Sequence, residues 1–284
     1  MKKLLTALLA GILAVAAMFT FTACSDNGKD ANIKGYDGDV VGVDIYLMAL
    51  VCEELDMKMS VQDVDFDGIV GAVSTKNNAV GAAGITINDE RKESVDFSNA
   101  YYSSVQYIIS KNNEAFTSLE ALAGKKIGVQ KGTTGALMVA DAIEKAEGAL
   151  KDTGATAIEY DTGAVAFTAM KQGKCDYVVI DELPAQKLVF GDSAYVAKAI
   201  AGIKVEEYGL CVSKTSTLNA NILAAMNKVI DETDISAVVA YYTSIANGTE
   251  PTVTLEKVDL SDNKGDELEV YTCSGFEPYE FVVD

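Results

Sequence analysis

From about residue 40, short apolar runs of strand length alternate with runs of helical period. That alternation constrains the fold more than any other feature of this chain. It argues for βαβ units and parallel sheets in the α/β class. Helices are predicted at Ile45–Leu55, Ile69–Thr75, Ala136–Ala146 and Val165–Gln172, and again at Leu218–Ile230 and Ile235–Ala246. The strands between them fall at Lys58–Val64, Val80–Ile87, Lys126–Gln130, Ala157–Tyr160 and Tyr177–Ile180. One strand is out of place. After Asn247-Gly248 the chain turns polar through Asp266, then produces Leu268–Tyr271 and stops at Asp284.

The first residues read as an address rather than as fold. Lys2 and Lys3 precede an apolar run from Leu4 to Phe21, ending in Thr22-Ala23-Cys24. A basic start, a greasy stretch and small residues make a secretory signal over residues 1–23; a retained membrane helix is the rival reading. Phe21-Thr22-Ala23-Cys24 resembles a bacterial lipobox. This implies lipidation at Cys24 and attachment to the outer face of the cell membrane. The polar stretch after it predicts a flexible tether over residues 24–39. Export permits disulfides, but Cys52, Cys175, Cys211 and Cys273 have no metal-like or CxxC spacing. Buried free thiols are therefore expected, with no metal and no cofactor.

Composition excludes several functions. With 23 basic and 42 acidic residues the net charge is -19, opposite to the footprint of a nucleic-acid binder. The chain has no His, which removes His-based nucleophilic triads and imidazole metal sites.

Within the 23 basic residues Arg91 is the one Arg, so a planar two-pronged grip on a carboxylate is a natural role for it, against a chance surface position. It follows Asn88-Asp89-Glu90, a good helix start. Gln130-Lys-Gly-Thr-Thr-Gly135 joins a strand to a helix and offers N–H groups and hydroxyls to an anion, although glycine and threonine also make ordinary caps. Asp181 ends a strand where α/β proteins hold ligands. There it is either an acceptor for an ammonium group or a plain N-cap.

These pieces, in order, resemble the extracellular solute-binding proteins of amino-acid ABC transporters. The likeness is carried by Val41-Gly-Val-Asp44, Asp65-Phe66-Asp-Gly68, Gly84-Ile-Thr86 through Tyr102, Ile127-Gly-Val-Gln-Lys-Gly-Thr-Thr134, Cys175-Asp-Tyr-Val-Val-Ile-Asp181 and Tyr208-Gly-Leu-Cys-Val212. Phe276-Glu-Pro-Tyr279-Glu-Phe281 resembles the segment that opens the family's first domain, here moved to the C-terminus. The chain thus reads as a circular permutation, with a truncated second copy or a rearranged reading frame as rivals. The linker from Thr249 to Asp266 reaches about 55 Å when extended.

The resemblance implies a two-lobed type II periplasmic-binding-protein fold with two hinge crossings. Lobe 1 would hold 36–107 and 206–284, and lobe 2 would hold 108–205. The crossings are expected near Tyr107–Ser110 and Val205–Tyr208. It implies that Arg91, helped by Thr86, Thr133 and Thr134, clamps an α-carboxylate, while Asp181 and the backbone at Gly84 accept from the α-ammonium. Phe66 and Phe276 would sandwich the ligand's side chain. Ala83, Gln130 and Cys273 stand where some relatives carry charge, which favours a neutral side chain. The implied partners are an amino acid and an ABC permease, with the chain a monomer. Two alternatives stay open: an exported prephenate or arogenate (cyclohexadienyl) dehydratase of the same fold, and a ligand-sensing lipoprotein.

Overall fold

The computed structural model describes residues 30–114 and 116–283; the expected signal, Cys24 and the start of the expected tether lie outside them. Two five-stranded mixed sheets form the cores of two lobes. In lobe 1 the order is Lys58–Asp63, Glu267–Thr272, Ala79–Gly81, Cys211–Ser213, Val95–Phe97. In lobe 2 it is Tyr195–Ala199, Gln106–Lys111, Tyr177–Asp181, Lys126–Gln130, Thr156–Tyr160.

The C-terminal strand Glu267–Thr272 is the centre of the first sheet's parallel half. Val270 pairs with Val61 on one side and Val80 on the other, both in parallel register. The strand's apolar residues face the core, Leu268 and Val270 being wholly buried, while Glu267 and Glu269 at its start keep contact with solvent. The chain then turns through Phe276–Tyr279, and Val282 pairs antiparallel with Val40. Directly after Val40-Val41 comes Gly42, whose φ of 137° brings its backbone against Tyr279. The helix Val43–Glu54 follows; it is buried on most of its surface and packs on Asn219–Glu232.

Several expectations need correction. The tether does not extend to residue 39. Ile33 pairs with Val258 in a short parallel ladder and is 2% exposed, and Tyr36 is also buried. The linker from Thr249 to Asp266 is likewise anchored by the buried Leu255, Val258 and Leu260. Apolar side chains inside a polar stretch account for both.

The first crossing is not at Tyr107–Ser110, which belongs to the lobe 2 sheet. It is Tyr102–Ser104, paired antiparallel with Glu206–Tyr208 in a two-stranded ribbon between lobes. The strand expected over Val80–Ile87 ends at Gly81. Gly84, at φ 53°, then turns the chain toward the ribbon, where Thr86 bridges to Tyr208.

Candidate functional site between the lobes

The strand ends and helix starts of both lobes meet over the ribbon. Asn88 caps the helix Asp89–Ser94, its Oδ1 accepting from the Arg91 amide at 2.8 Å. That cap aims Arg91 across the cleft. Its Nη1 donates to the Thr86 carbonyl at 2.8 Å, and its Nη2 reaches the Gly132 carbonyl of lobe 2 at 3.2 Å. The guanidinium lies 5.3 Å from the Phe66 ring centroid. Burial lowers its pKa, with Glu206 and Asp181 among the charges that oppose the shift. A cavity of about 340 Å³ opens here, lined by Phe66, Arg91 and Gly132 among others.

Asp181 occupies the N-cap position of the helix Glu182–Val189, but its side chain makes no cap hydrogen bond. The plain N-cap role is thereby excluded. Instead Oδ1 accepts from the Tyr208 hydroxyl at 2.6 Å, and the residue is 5% exposed. Burial raises its pKa well above the usual carboxylate range, and the neighbouring negative charge of Glu206 adds to the effect. The hydrogen bond from Tyr208 works against both.

Tyr208 belongs to an aromatic cluster with Tyr279, Phe276 and Tyr102. Its ring centroid is 5.2 Å from Tyr279, and Phe276 stacks 5.7 Å from Tyr279. Phe276 also covers Gly84: a Cβ at that glycine would lie 2.7 Å from the ring. The Gly84 amide donates to Asp44, whose other oxygen accepts from Tyr101 at 2.7 Å.

Not every expected residue faces the cleft with a free group. The Thr133 hydroxyl caps its helix, accepting from the Ala136 amide at 3.1 Å and donating to the Gln130 carbonyl at 2.8 Å. Ala83 sits wholly buried in an apolar cluster with Ile69, Ile85 and Cys211. Gln130 and Cys273 do meet across the lobes, with Nε2 3.8 Å from Sγ. Gln130 Oε1 is buried and has no hydrogen-bond partner among the described residues. All four described cysteines are buried and free, and burial pushes the Cys273 thiol up to about 11.

Glu206 was not among the expected site residues. Its Oε2 accepts from Thr86 at 2.7 Å and from Thr134 at 2.5 Å, and Oε1 accepts from Gln106 at 3.2 Å. Only its place in Val205-Glu-Glu-Tyr208, beside the expected crossing, hinted at it. The charge alone did not distinguish it from forty-one other acids.

Among the described residues no group of three or more His, Cys, Asp or Glu could hold a metal ion, and no helix is long and apolar enough to cross a membrane.

Comparison with known proteins supports the architecture. The arginine-binding extracellular protein ArtP of Bacillus subtilis is 27% identical over 245 residues, spanning 79% of this chain and 93% of its own. The L-arginine-binding protein of Pseudomonas aeruginosa is 31% identical over 64% of this chain and 71% of its own. An ancestral arginine-binding protein solved with arginine superposes with a TM-score of 0.60 at 34% identity, over 70% of this chain and 84% of that one. The family model for bacterial extracellular solute-binding proteins, family 3, matches residues 22–243. With two α/β lobes and that match over most of its length, the chain belongs to the bacterial extracellular solute-binding proteins, family 3.

Proposed function

We propose that this protein binds an amino acid between its lobes and hands it to an ABC permease for uptake. The observation that carries the reading is the pair of oppositely charged groups at one cleft: the partly buried Arg91 from lobe 1 and the buried Asp181 from lobe 2. An amino acid is a zwitterion, and these two charges complement its two ends. Arg91, Thr86 and Thr134 would take the carboxylate, Asp181 the ammonium. Thr133 would contribute by capping the helix whose N-terminus faces the anion.

The side chain would lie between Phe66 and Phe276 and end near Gln130 and Cys273. The lone Gln130 oxygen suits a side chain ending in an N–H or O–H donor. Arginine, which several relatives bind by name, offers such donors; a neutral amide or hydroxyl does too, without needing an acid at Ala83, Gln130 or Cys273.

Residues 1–23 would be removed on export and Cys24 lipidated. The C-terminal strand is read as a circular permutation of the family order. Support comes from its place between two parallel neighbours in the sheet and from the Val282–Val40 pairing, which sets Val282 beside residue 40.

The test is thermal unfolding against each of the twenty L-amino acids, followed by calorimetric titration. One or a few should stabilise the chain, by roughly 2.7 kcal/mol at a hundred times Kd. Arg91→Ala should weaken binding more than a hundredfold, since a buried charge losing its partner costs roughly 3–5 kcal/mol. Conversion of prephenate or arogenate, with no amino acid bound, would overturn the reading in favour of the dehydratase.

A further inference from the structure

The two hydroxyls assigned above to a ligand's carboxylate already hold one that belongs to the protein. Thr86 and Thr134 both donate to Glu206 Oε2. Thr134 opens the helix Thr134–Glu144, so the anion also sits at the positive end of an eleven-residue helix. The Arg91 guanidinium feels the same charge.

The donors come from different bodies. Thr86 belongs to lobe 1, Thr134 and Gln106 to lobe 2, and Glu206 to the ribbon between them. A single carboxylate therefore ties both lobes together. Arg91 is engaged in the same way, donating to carbonyls of both lobes rather than to an anion. The donor set and charge that would welcome an incoming carboxylate are thus satisfied internally.

We propose that Glu206 is a built-in occupant of the carboxylate subsite: it holds the empty cleft shut, and an amino acid's carboxylate displaces it. The inference rests on reading Arg91, Thr86 and Thr134 as that subsite. A tethered competitor acts at high effective concentration, so the measured affinity is the intrinsic affinity reduced by the fraction of molecules with Glu206 swung away.

Glu206→Gln and Glu206→Ala decide it, with exposed Glu207→Gln as the control for lost charge. Affinity for whichever of the twenty L-amino acids stabilises the wild type is measured by titration, L-arginine being tried first. Lobe separation is followed in the same full-length chains by energy transfer between one dye on each lobe. Both Glu206 variants should bind about tenfold tighter, equivalent to about 1.4 kcal/mol, and their ligand-free lobes should stand further apart than wild type. The control should change neither. Unchanged or weaker binding in both Glu206 variants would overturn the proposal, because Glu206 would then be neutral or itself a ligand contact. Should no amino acid bind the wild type, the amino-acid reading fails, and the lobe separation alone decides whether Glu206 is a latch.

Discussion

Tyr208, on the strand that carries the chain from lobe 2 back to lobe 1, donates its hydroxyl to Asp181 of lobe 2 at 2.6 Å. The bond fixes the carboxylate proposed to receive a ligand's ammonium. It also stabilises the ionised form against burial and the charge of Glu206.

Ligand affinity should consequently depend on pH. Asp181 has a raised pKa, so it loses its charge at a higher pH than a free Asp as pH falls. Amino-acid affinity is expected to fall between about pH 8 and about pH 5, a range in which an ordinary Asp stays ionised. Tyr208→Phe removes an influence that lowers the pKa and should move the fall to higher pH. Titration calorimetry at four or five pH values checks both; a flat wild-type profile would contradict the role of Asp181.

Asp44 offers a stability counterpart. Burial raises its pKa from 3.8 to about 7, despite hydrogen bonds from Tyr101 and the Gly84 amide. The folded state thus keeps a proton that the unfolded chain has already released. Its stabilising contribution is full below 3.8 and is lost as pH rises to about 7. Asp44→Asn is nearly the same shape and cannot ionise. Relative to wild type, the variant should gain stability from pH 4 to pH 8, on the order of a few kcal/mol, in urea unfolding. A difference that does not vary with pH would show that Asp44 does not titrate in this range.

Gly42 tests the junction between the start of the helix Val43–Glu54 and the C-terminal turn at Tyr279. Its φ is 137°, and a Cβ there would lie 2.1 Å from the Tyr279 carbonyl oxygen. Gly42→Ala should destabilise the fold by about 2–4 kcal/mol, through backbone strain and displacement of the C-terminal turn. Gly71→Ala, where a Cβ would meet nothing within 4 Å, serves as the tolerant control. Equal melting temperatures for the two variants would refute this account.

Reconnection tests the permutation. A chain that begins at Gly265, runs to Val283, passes through a short turn to Tyr36 and ends near residue 264 keeps the pairings of Val270 and Val282. It should melt cooperatively and bind the same amino acid. Deleting 267–283 should abolish the cooperative melt, since the sheet of lobe 1 loses its central parallel strand. Retention of a sharp melt after that deletion would mean the strand is dispensable.

Much of this architecture was legible in the chain itself. Lys126–Gln130 and Ile235–Ala246 fall where their patterning puts them, because the middle of a buried parallel strand must be apolar and a packed helix must repeat its apolar positions. The Asn88 cap could be read from residue type and position. Ile33 could not: a lone apolar residue in a polar run looks like a tether until Val258 is known to lie beside it.

Residue order and type alone determined the α/β class, an acidic chain unsuited to nucleic acid, a single guanidinium, and an orphan strand that needed a partner. They did so because periodicity and charge are local properties of a sequence. Tertiary structure decided which groups face one another. It left Asp181 uncapped and bound it to Tyr208, turned the Thr133 hydroxyl inward to its own helix, and set Glu206 between Thr86 and Thr134. Those contacts join residues up to 120 positions apart, and no local pattern encodes which of many acids and hydroxyls will meet when two lobes close.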